Sequence, residues 1–216
     1  SARIQAPFME KLEQTDPSAL SDDEWGELRS ALGNQRLLGM NYYSGGHLTH
    51  GYRHNVSSRM FDAYSYDVDR ETGLLDYDAI RARAQEVKPF ILLAGYSAYP
   101  RHINFRKMRE IADEVEAVFM VDMAHFSGLV AGDVFTGDNN PVAHADVVTS
   151  TTHKTLRGPR GALILSDQEL GRSIDRSVFP FTQGGPLMHT IAAKAVAFRE
   201  AQQSSFRTYQ QQVVEN

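Results

Sequence analysis

From residue 37 onward one pattern recurs: a short apolar run, an amphipathic stretch, then another short run. The runs at Leu37–Met40, Met60–Tyr64, Phe90–Ala94, Ala117–Asp122, Ala145–Ser150 and Ala162–Leu165 predict strands. The stretches at Tyr77–Glu86, Phe105–Glu114, Asp167–Asp175 and Leu187–Gln202 predict helices. In the second of these, Met108, Ile111 and Ala112 form the apolar face. Phe90-Ile91-Leu92-Leu93 and Ala117-Val118-Phe119-Met120-Val121 have no polar alternation, so both faces of those strands must be covered. Buried strands alternating with helices predict an α/β fold: a mostly parallel sheet flanked by helices. In such sheets a ligand sits beyond the C-terminal ends of the strands.

Residues 1–36 have a different character. They read as a polar helical insertion or extension, with 37–216 as the sheet-forming part. Ser21-Asp22-Asp23-Glu24 has the form of a capping box, followed by Trp25, Leu28 and Leu32 on one helical face. Pro17 and Gly33 suit its start and stop. The chain opens on Ser1-Ala2-Arg3-Ile4-Gln5, without a signal-peptide apolar stretch or an initiating methionine, and is expected to be a fragment.

A chain of 216 residues suffices for one sizeable core. The net charge of −5, with no basic stripe, argues against a nucleic-acid partner. No apolar run approaches the roughly 20 residues that span a bilayer, so no membrane association is expected. The absence of cysteine excludes disulfides, thiolate chemistry and Cys-containing zinc sites, and fits a reducing, cytoplasmic setting.

Three predicted strands end in residues that carry chemistry. Phe119-Met120-Val121 runs into Asp122-Met123-Ala124-His125. Ala145–Thr149 runs into Ser150-Thr151-Thr152-His153-Lys154, and Ile91–Ala94 into Gly95-Tyr96-Ser97-Ala98-Tyr99. If the strands are neighbours, an acid, a lysine, hydroxyls and two histidines share one sheet edge. Burying such a set is costly unless each group has a partner. An amino-aldehyde cofactor supplies partners: its aldehyde takes the lysine as an imine, and its protonated ring nitrogen takes the carboxylate. Asp122 and Lys154 lie 32 residues apart, about one βαβ step. Taken singly, an Asp at a strand end is usually a cap and a Lys is usually solvated. Spacing alone leaves both readings open.

Upstream lies Ser44-Gly45-Gly46-His47-Leu48-Thr49-His50-Gly51-Tyr52-Arg53-His54. The paired glycines allow close backbone approach to a ligand, and His47 can lay its ring on a flat cofactor. The rival reading is a metal site, since His47, His50 and His54 would share a face if helical. The glycines argue against a helix, and no metal is expected. Further on, Gly184-Gly185-Pro186 precedes a predicted helix. A phosphate seat is possible there, but on the glycines alone a plain turn is the better reading. Arg157 and Arg160 can balance phosphate charge or lie on the surface.

Together these segments closely resemble serine hydroxymethyltransferase, a fold-type I pyridoxal-phosphate enzyme. The resemblance rests on Gly45-Gly46-His47-Leu48-Thr49-His50-Gly51, on Val121-Asp122-Met123-Ala124-His125 with Gly128-Leu129-Val130-Ala131, and on Thr151-Thr152-His153-Lys154-Thr155-Leu156 with Gly158-Pro159-Arg160-Gly161. Gln183-Gly184-Gly185-Pro186-Leu187-Met188-His189 completes it. Order and spacing agree from about Leu37 to the C-terminus.

The resemblance implies that residues 37–216 belong to the cofactor-binding large domain, with pyridoxal 5'-phosphate held as an imine by Lys154. By the same resemblance Asp122 pairs with the ring nitrogen and His47 stacks on the ring. Ser97 and His125 approach the phenolic oxygen and the substrate side, Thr151 and His153 flank the lysine, and Arg160 meets phosphate charge. Gly184 and Gly185 would contact the phosphate of a neighbouring subunit's cofactor. Tyr42, Gly46, His47 and Leu48 would edge a folate site. The implied reaction interconverts serine and glycine and passes the carbon to tetrahydrofolate, in a homodimer or larger homo-oligomer.

Departures accompany the match. Residues 1–36 look like an insertion found in some branches, and Tyr42 stands where leucine is frequent. Ser150 and Ala162 are milder changes. The chain lacks the family's N-terminal tyrosine–glutamate pair, its Ser-Gly-Ser phosphate loop and its C-terminal carboxylate-binding arginine, so low turnover is expected of it alone. The alternatives are another fold-type I enzyme, such as an aldolase or transaminase, and a non-catalytic metal or interaction module built on the histidines.

Overall fold

A computed structural model describes Ser21 and residues 35–216. The helix expected around Trp25 lies outside the described residues. In chain order the main elements are β1 (Arg36–Met40), α1 (Ser57–Met60), β2 (Asp62–Tyr66), α2 (Tyr77–Val87), β3 (Ile91–Gly95), α3 (Phe105–Glu114) and β4 (Val118–Asp122). Then come α4 (Ser127–Ala131), β5 (Val147–Thr151), β6 (Ala162–Ser166), α5 (Gln168–Arg176), α6 (Met188–Ala201) and α7 (Ser204–Glu215).

The strands form one sheet in the order β2-β1-β3-β4-β5-β6. All neighbours pair parallel except β5 and β6. The expected α/β fold with a mostly parallel sheet is therefore what forms. β1 and β3 are buried on both faces, as an unalternating sequence requires, whereas β4 alternates: Phe119 and Val121 are completely buried, but Val118, Met120 and Asp122 on its other face are only half-buried. Each completely buried apolar side chain stabilises the fold by about 1.5–3 kcal/mol. The edge strand β6 is largely exposed.

Local sequence sets the covering helices. Asp76 caps α2 by accepting the amides of Asp78 and Ala79, and Asn104 caps α3 by accepting that of Lys107. Phe105, Met108, Ile111 and Ala112 are the buried face of α3, which adds Phe105 to the expected stripe.

Two strands start two residues later than expected, and one helix is additional. β2 starts at Asp62 rather than Met60, because the pairing with β1 begins at Arg36↔Asp62 and Ser57–Met60 coil into a helical turn. β5 starts at Val147 rather than Ala145: the Asp146 carboxylate accepts the Phe119 amide at 2.7 Å and Arg109 at 2.8 Å, locking the approach to the strand. α7 was not expected at all. Its inward face is Phe206 and the fully buried Gln210, and a polar residue at a core position hides the apolar period.

Two features of topology place the site. Chain order reverses between β1 and β3, the switch point where such sheets open a crevice. The registers Gly95↔Asp122 and Asp122↔Thr149 put the ends of β3, β4 and β5 on one level.

Candidate active site

Four strand ends supply the site. After β1, Tyr42–Ser44 and Leu48–His50 form two tight turns, each closed by a glycine of positive φ, Gly45 at 105° and Gly51 at 104°. The Gly45 carbonyl accepts the amides of Ser97 and Ala98 at 2.8 and 3.0 Å, tying the loop after β1 to the loop after β3 across the switch point. Beneath, Tyr96 and Phe126 stack at 4.9 Å, and Phe105 lies 5.9 Å from Phe126. The loops thus rest on a packed aromatic floor.

Asp122 ends β4. Its Oδ1 accepts the Ala124 amide at 3.0 Å, and its Oδ2 faces Nε2 of His50 at 3.2 Å. Burial pushes this carboxyl upward, but the hydrogen bonds from His50 and Ala124 and the nearby imidazoles of His50 and His47 outweigh it. The group is held below the ordinary aspartate value.

Lys154 lies just past β5, where its Nζ donates to Thr151 Oγ1 at 3.3 Å. The turn is knotted: the Thr152 amide donates to the Gly161 carbonyl at 2.9 Å, and the Gly158 amide to the Thr152 carbonyl at 2.7 Å. Thr155 Oγ1 donates to the His125 carbonyl and accepts the Gly128 amide, both at 3.0 Å. From α7, Gln210 donates to the Thr155 carbonyl at 2.8 Å. The lysine turn is therefore fastened to the loop after β4 and to the last helix.

The charges of Asp122 and Lys154 both act on His47 and on His125, so the expected acid, lysine and His125 do converge; His47 joins them from the loop after β1, while His153, the other histidine expected from the strand ends, bonds Arg160. The imidazoles of His47 and His125 titrate below the ordinary histidine value. Burial is the main cause for each, followed by the neighbouring His50 for His47 and by Lys154 for His125. The unfolded chain takes up protons near pH 6.5 that the native chain still refuses. Stability is accordingly expected to fall as pH drops below about 6.5. Melting temperatures at pH 7.5 and 5.5 check this; an equal or higher value at pH 5.5 would contradict it.

The remaining expected residues divide. Ser97 Oγ is buried without a hydrogen-bond partner. Arg160 donates to His153 Nε2 at 3.2 Å, which puts the ring proton on Nδ1, also buried and unpartnered. Gly184 and Gly185 are exposed, with nothing within 4 Å of a Cβ placed on either, and they touch none of these groups. Tyr42 and Leu48 are exposed, and Tyr42 packs on Tyr52 at 4.6 Å. Gly46 is buried, and a Cβ there would stand 2.0 Å from the Met40 carbonyl oxygen. The single helical face of His47, His50 and His54 does not form, because Gly51 ends the turn and His54 packs on Tyr52.

His47, His50 and Asp122 do bring ligating atoms within 4.8 Å of one another. However, Nδ1 of His47 accepts the Thr49 amide, and Nδ1 of His50 accepts the His47 amide. Both rings then carry their proton on Nε2, a donor rather than a metal ligand. Two contributions are missing from the sequence reading: that of His50 as the partner of Asp122, since the sequence offered it only as a rival metal ligand, and that of Gln210 behind the lysine turn.

A sequence model of the family described as serine hydroxymethyltransferase matches residues 30–216. The chain belongs to that family. A serine hydroxymethyltransferase of Treponema pallidum is 60% identical over the whole chain, which covers 38% of that relative. One of Mycolicibacterium smegmatis is 56% identical over the whole chain and is covered to 44%. One of Acidiphilium cryptum is 59% identical over 181 residues, 83% of the chain and 41% of the relative. The chain thus spans less than half the length of these family members. Among the described residues, no helix is long and apolar enough to cross a membrane.

Proposed function

We propose that this chain forms the cofactor-holding part of a serine hydroxymethyltransferase, which interconverts serine and glycine with tetrahydrofolate as the one-carbon acceptor. One observation carries the reading: the Gly95–Asp122–Thr149 register sets Asp122 and the Lys154 turn at one sheet edge, in a chain of this family. The residues present suit pyridoxal 5'-phosphate. Ser97 Oγ and His153 Nδ1 are buried polar atoms without partners. Asp122 is a carboxylate kept ionised, as a protonated ring nitrogen requires.

In this reading Lys154 holds the cofactor covalently, with Thr151 steadying the amine. Asp122 would accept the hydrogen bond of the protonated ring nitrogen. His47 covers the ring face, and Ser97 and His125 take the side of the phenolic oxygen and substrate. Arg160 orients His153 beside the lysine and adds positive charge for phosphate. When bound, the cofactor supplies an electron sink for a carbanion. His125, kept neutral near pH 7 by its surroundings, can accept a proton on the substrate side.

Gly184 and Gly185, exposed before α6, suit a phosphate held by a second subunit, and we assign the whole protein as a homodimer or larger homo-oligomer of the cytoplasm. Tyr42, Gly46, His47 and Leu48 would edge the folate. Residues 37–216 then belong to the large domain and 1–36 to a branch-specific segment. The relatives support that division: two match all 216 residues, while others match 181 and 182, a shortfall close to the length of 1–36.

Titration with pyridoxal 5'-phosphate, followed by visible absorption, tests the proposal. The chain is expected to develop a band that Lys154→Ala lacks. The same band in both proteins, or in neither, would overturn it.

A further inference from the structure

We propose that His50 is a positioning residue: a neutral hydrogen-bond donor that aims Asp122 at the cofactor ring without neutralising it. The inference rests on the cofactor reading above. It goes beyond that reading by assigning the carboxylate's own support.

His50 is built into the fold. Its side chain is 1% exposed, and its turn lies directly over β1. A Cβ on Gly39 of β1 would stand 2.8 Å from the His50 carbonyl oxygen and 3.3 Å from its Cβ, so the glycine makes room for the histidine. The His47 amide donates to Nδ1 at 3.4 Å, which assigns the proton to Nε2. Nε2–H then points at Asp122 Oδ2, 3.2 Å away, while the Ala124 amide takes Oδ1. Each carboxylate oxygen therefore has one fixed N–H donor, and the carboxylate plane is set from two elements.

The choice of donor matters chemically. An arginine or imidazolium here would cancel the charge of Asp122 and weaken its pull on a ring proton. A neutral imidazole orients the group and leaves its full negative charge to the ligand. The other charged and titratable groups around Asp122 are His47, His125 and Lys154. None of these is assigned a hydrogen bond to the carboxylate, so His50 is the side chain that fixes it among the described residues.

The test compares the chain with His50→Leu and His50→Gln, the latter retaining a side-chain N–H of similar reach. In the cofactor-free proteins, carbon NMR follows the Asp122 carboxyl as pH is varied, and nitrogen NMR reads the His50 tautomer. Expected are an Nε2-protonated His50, an Asp122 that titrates at higher pH in the leucine variant, and recovery in the glutamine variant. Pyridoxal 5'-phosphate is then added. Its affinity is expected to fall about tenfold for leucine and to return in part for glutamine. An Nδ1-protonated His50, or an Asp122 titration unmoved by the leucine change, overturns the proposal. So does unchanged cofactor affinity in that variant when the wild-type chain binds. Should no protein bind cofactor, the functional reading fails, and the NMR titration still decides whether His50 governs Asp122. Should the leucine variant not fold, the wild-type tautomer and the glutamine variant decide it.

Discussion

Gly95→Ala is expected to destabilise the chain by roughly 3–5 kcal/mol, more than any other single methyl added at the strand ends. Gly95 ends β3 with φ at 108°, a conformation that side chains rarely adopt. A Cβ there would stand 2.0 Å from the carbonyl oxygen of Asp122 and 2.8 Å from its carbonyl carbon. Neither atom can retreat, because Asp122 is paired with Gly95 on one side and Thr149 on the other. The added methyl must therefore break the ladder at the level where the acid and the lysine turn meet. Urea unfolding measures the loss. Gly73→Ala serves as the comparison: its φ is also positive, at 67°, but nothing lies within 4 Å of the new atom. Its cost is expected to be only about 1–2 kcal/mol. Equal costs at the two positions would show that backbone strain alone, and not contact with Asp122, makes Gly95 necessary.

Asp122→Ala is expected to do two kinds of damage. The change strands two N–H donors, from His50 and Ala124, of which the imidazole is almost fully enclosed. A buried donor left without an acceptor costs about 1–3 kcal/mol. The variant also removes the only carboxylate placed to meet a ring nitrogen among the described groups that act on His47 and His125. Cofactor capture is expected to weaken by at least about tenfold, in line with the loss of one charge-assisted hydrogen bond. Asp122→Asn separates the two effects. It keeps one oxygen acceptor, so its stability should lie nearer the wild type, but it carries no charge, so its affinity should fall with the alanine variant. Urea unfolding and absorbance titration give the two quantities. An asparagine variant with wild-type affinity would remove the carboxylate's charge from the account.

What could be read from the sequence, and what could not, follows from the range of the interactions. The β3 and β4 strands announce themselves by unbroken apolar runs, and β5 by the shorter Val147-Val148 pair before its polar end. Their polar termini then fall together once the strands are neighbours, so Asp122 and Lys154 were visible as a pair. The bond between His50 and Asp122 spans 72 residues, and the one between Gln210 and Thr155 spans 55. No local pattern encodes such pairings. His50 instead suggested a metal ligand, because spacing reports which residues share a face but not which ring nitrogen is free. α7 escaped notice for a related reason: Gln210 occupies a core position and is useful there because it is polar. The β2 boundary was misjudged since Met60 and Phe61 are apolar enough to pass for strand, while pairing with β1 fixes the true start at Asp62.

Lys154 is the residue proposed to take the cofactor, and the most direct measurement is to find the modified lysine. The chain is mixed with pyridoxal 5'-phosphate, reduced with borohydride, digested and mapped by mass spectrometry. The sequence offers Lys11, Lys88, Lys107, Lys154 and Lys194 as competing amines. At stoichiometric cofactor, label confined to Lys154 is the predicted result, since among the described residues only that amine lies beside Asp122, His47 and His125. Label spread over the lysines in proportion to their exposure, or concentrated on Lys194 at the edge of β6, would contradict it.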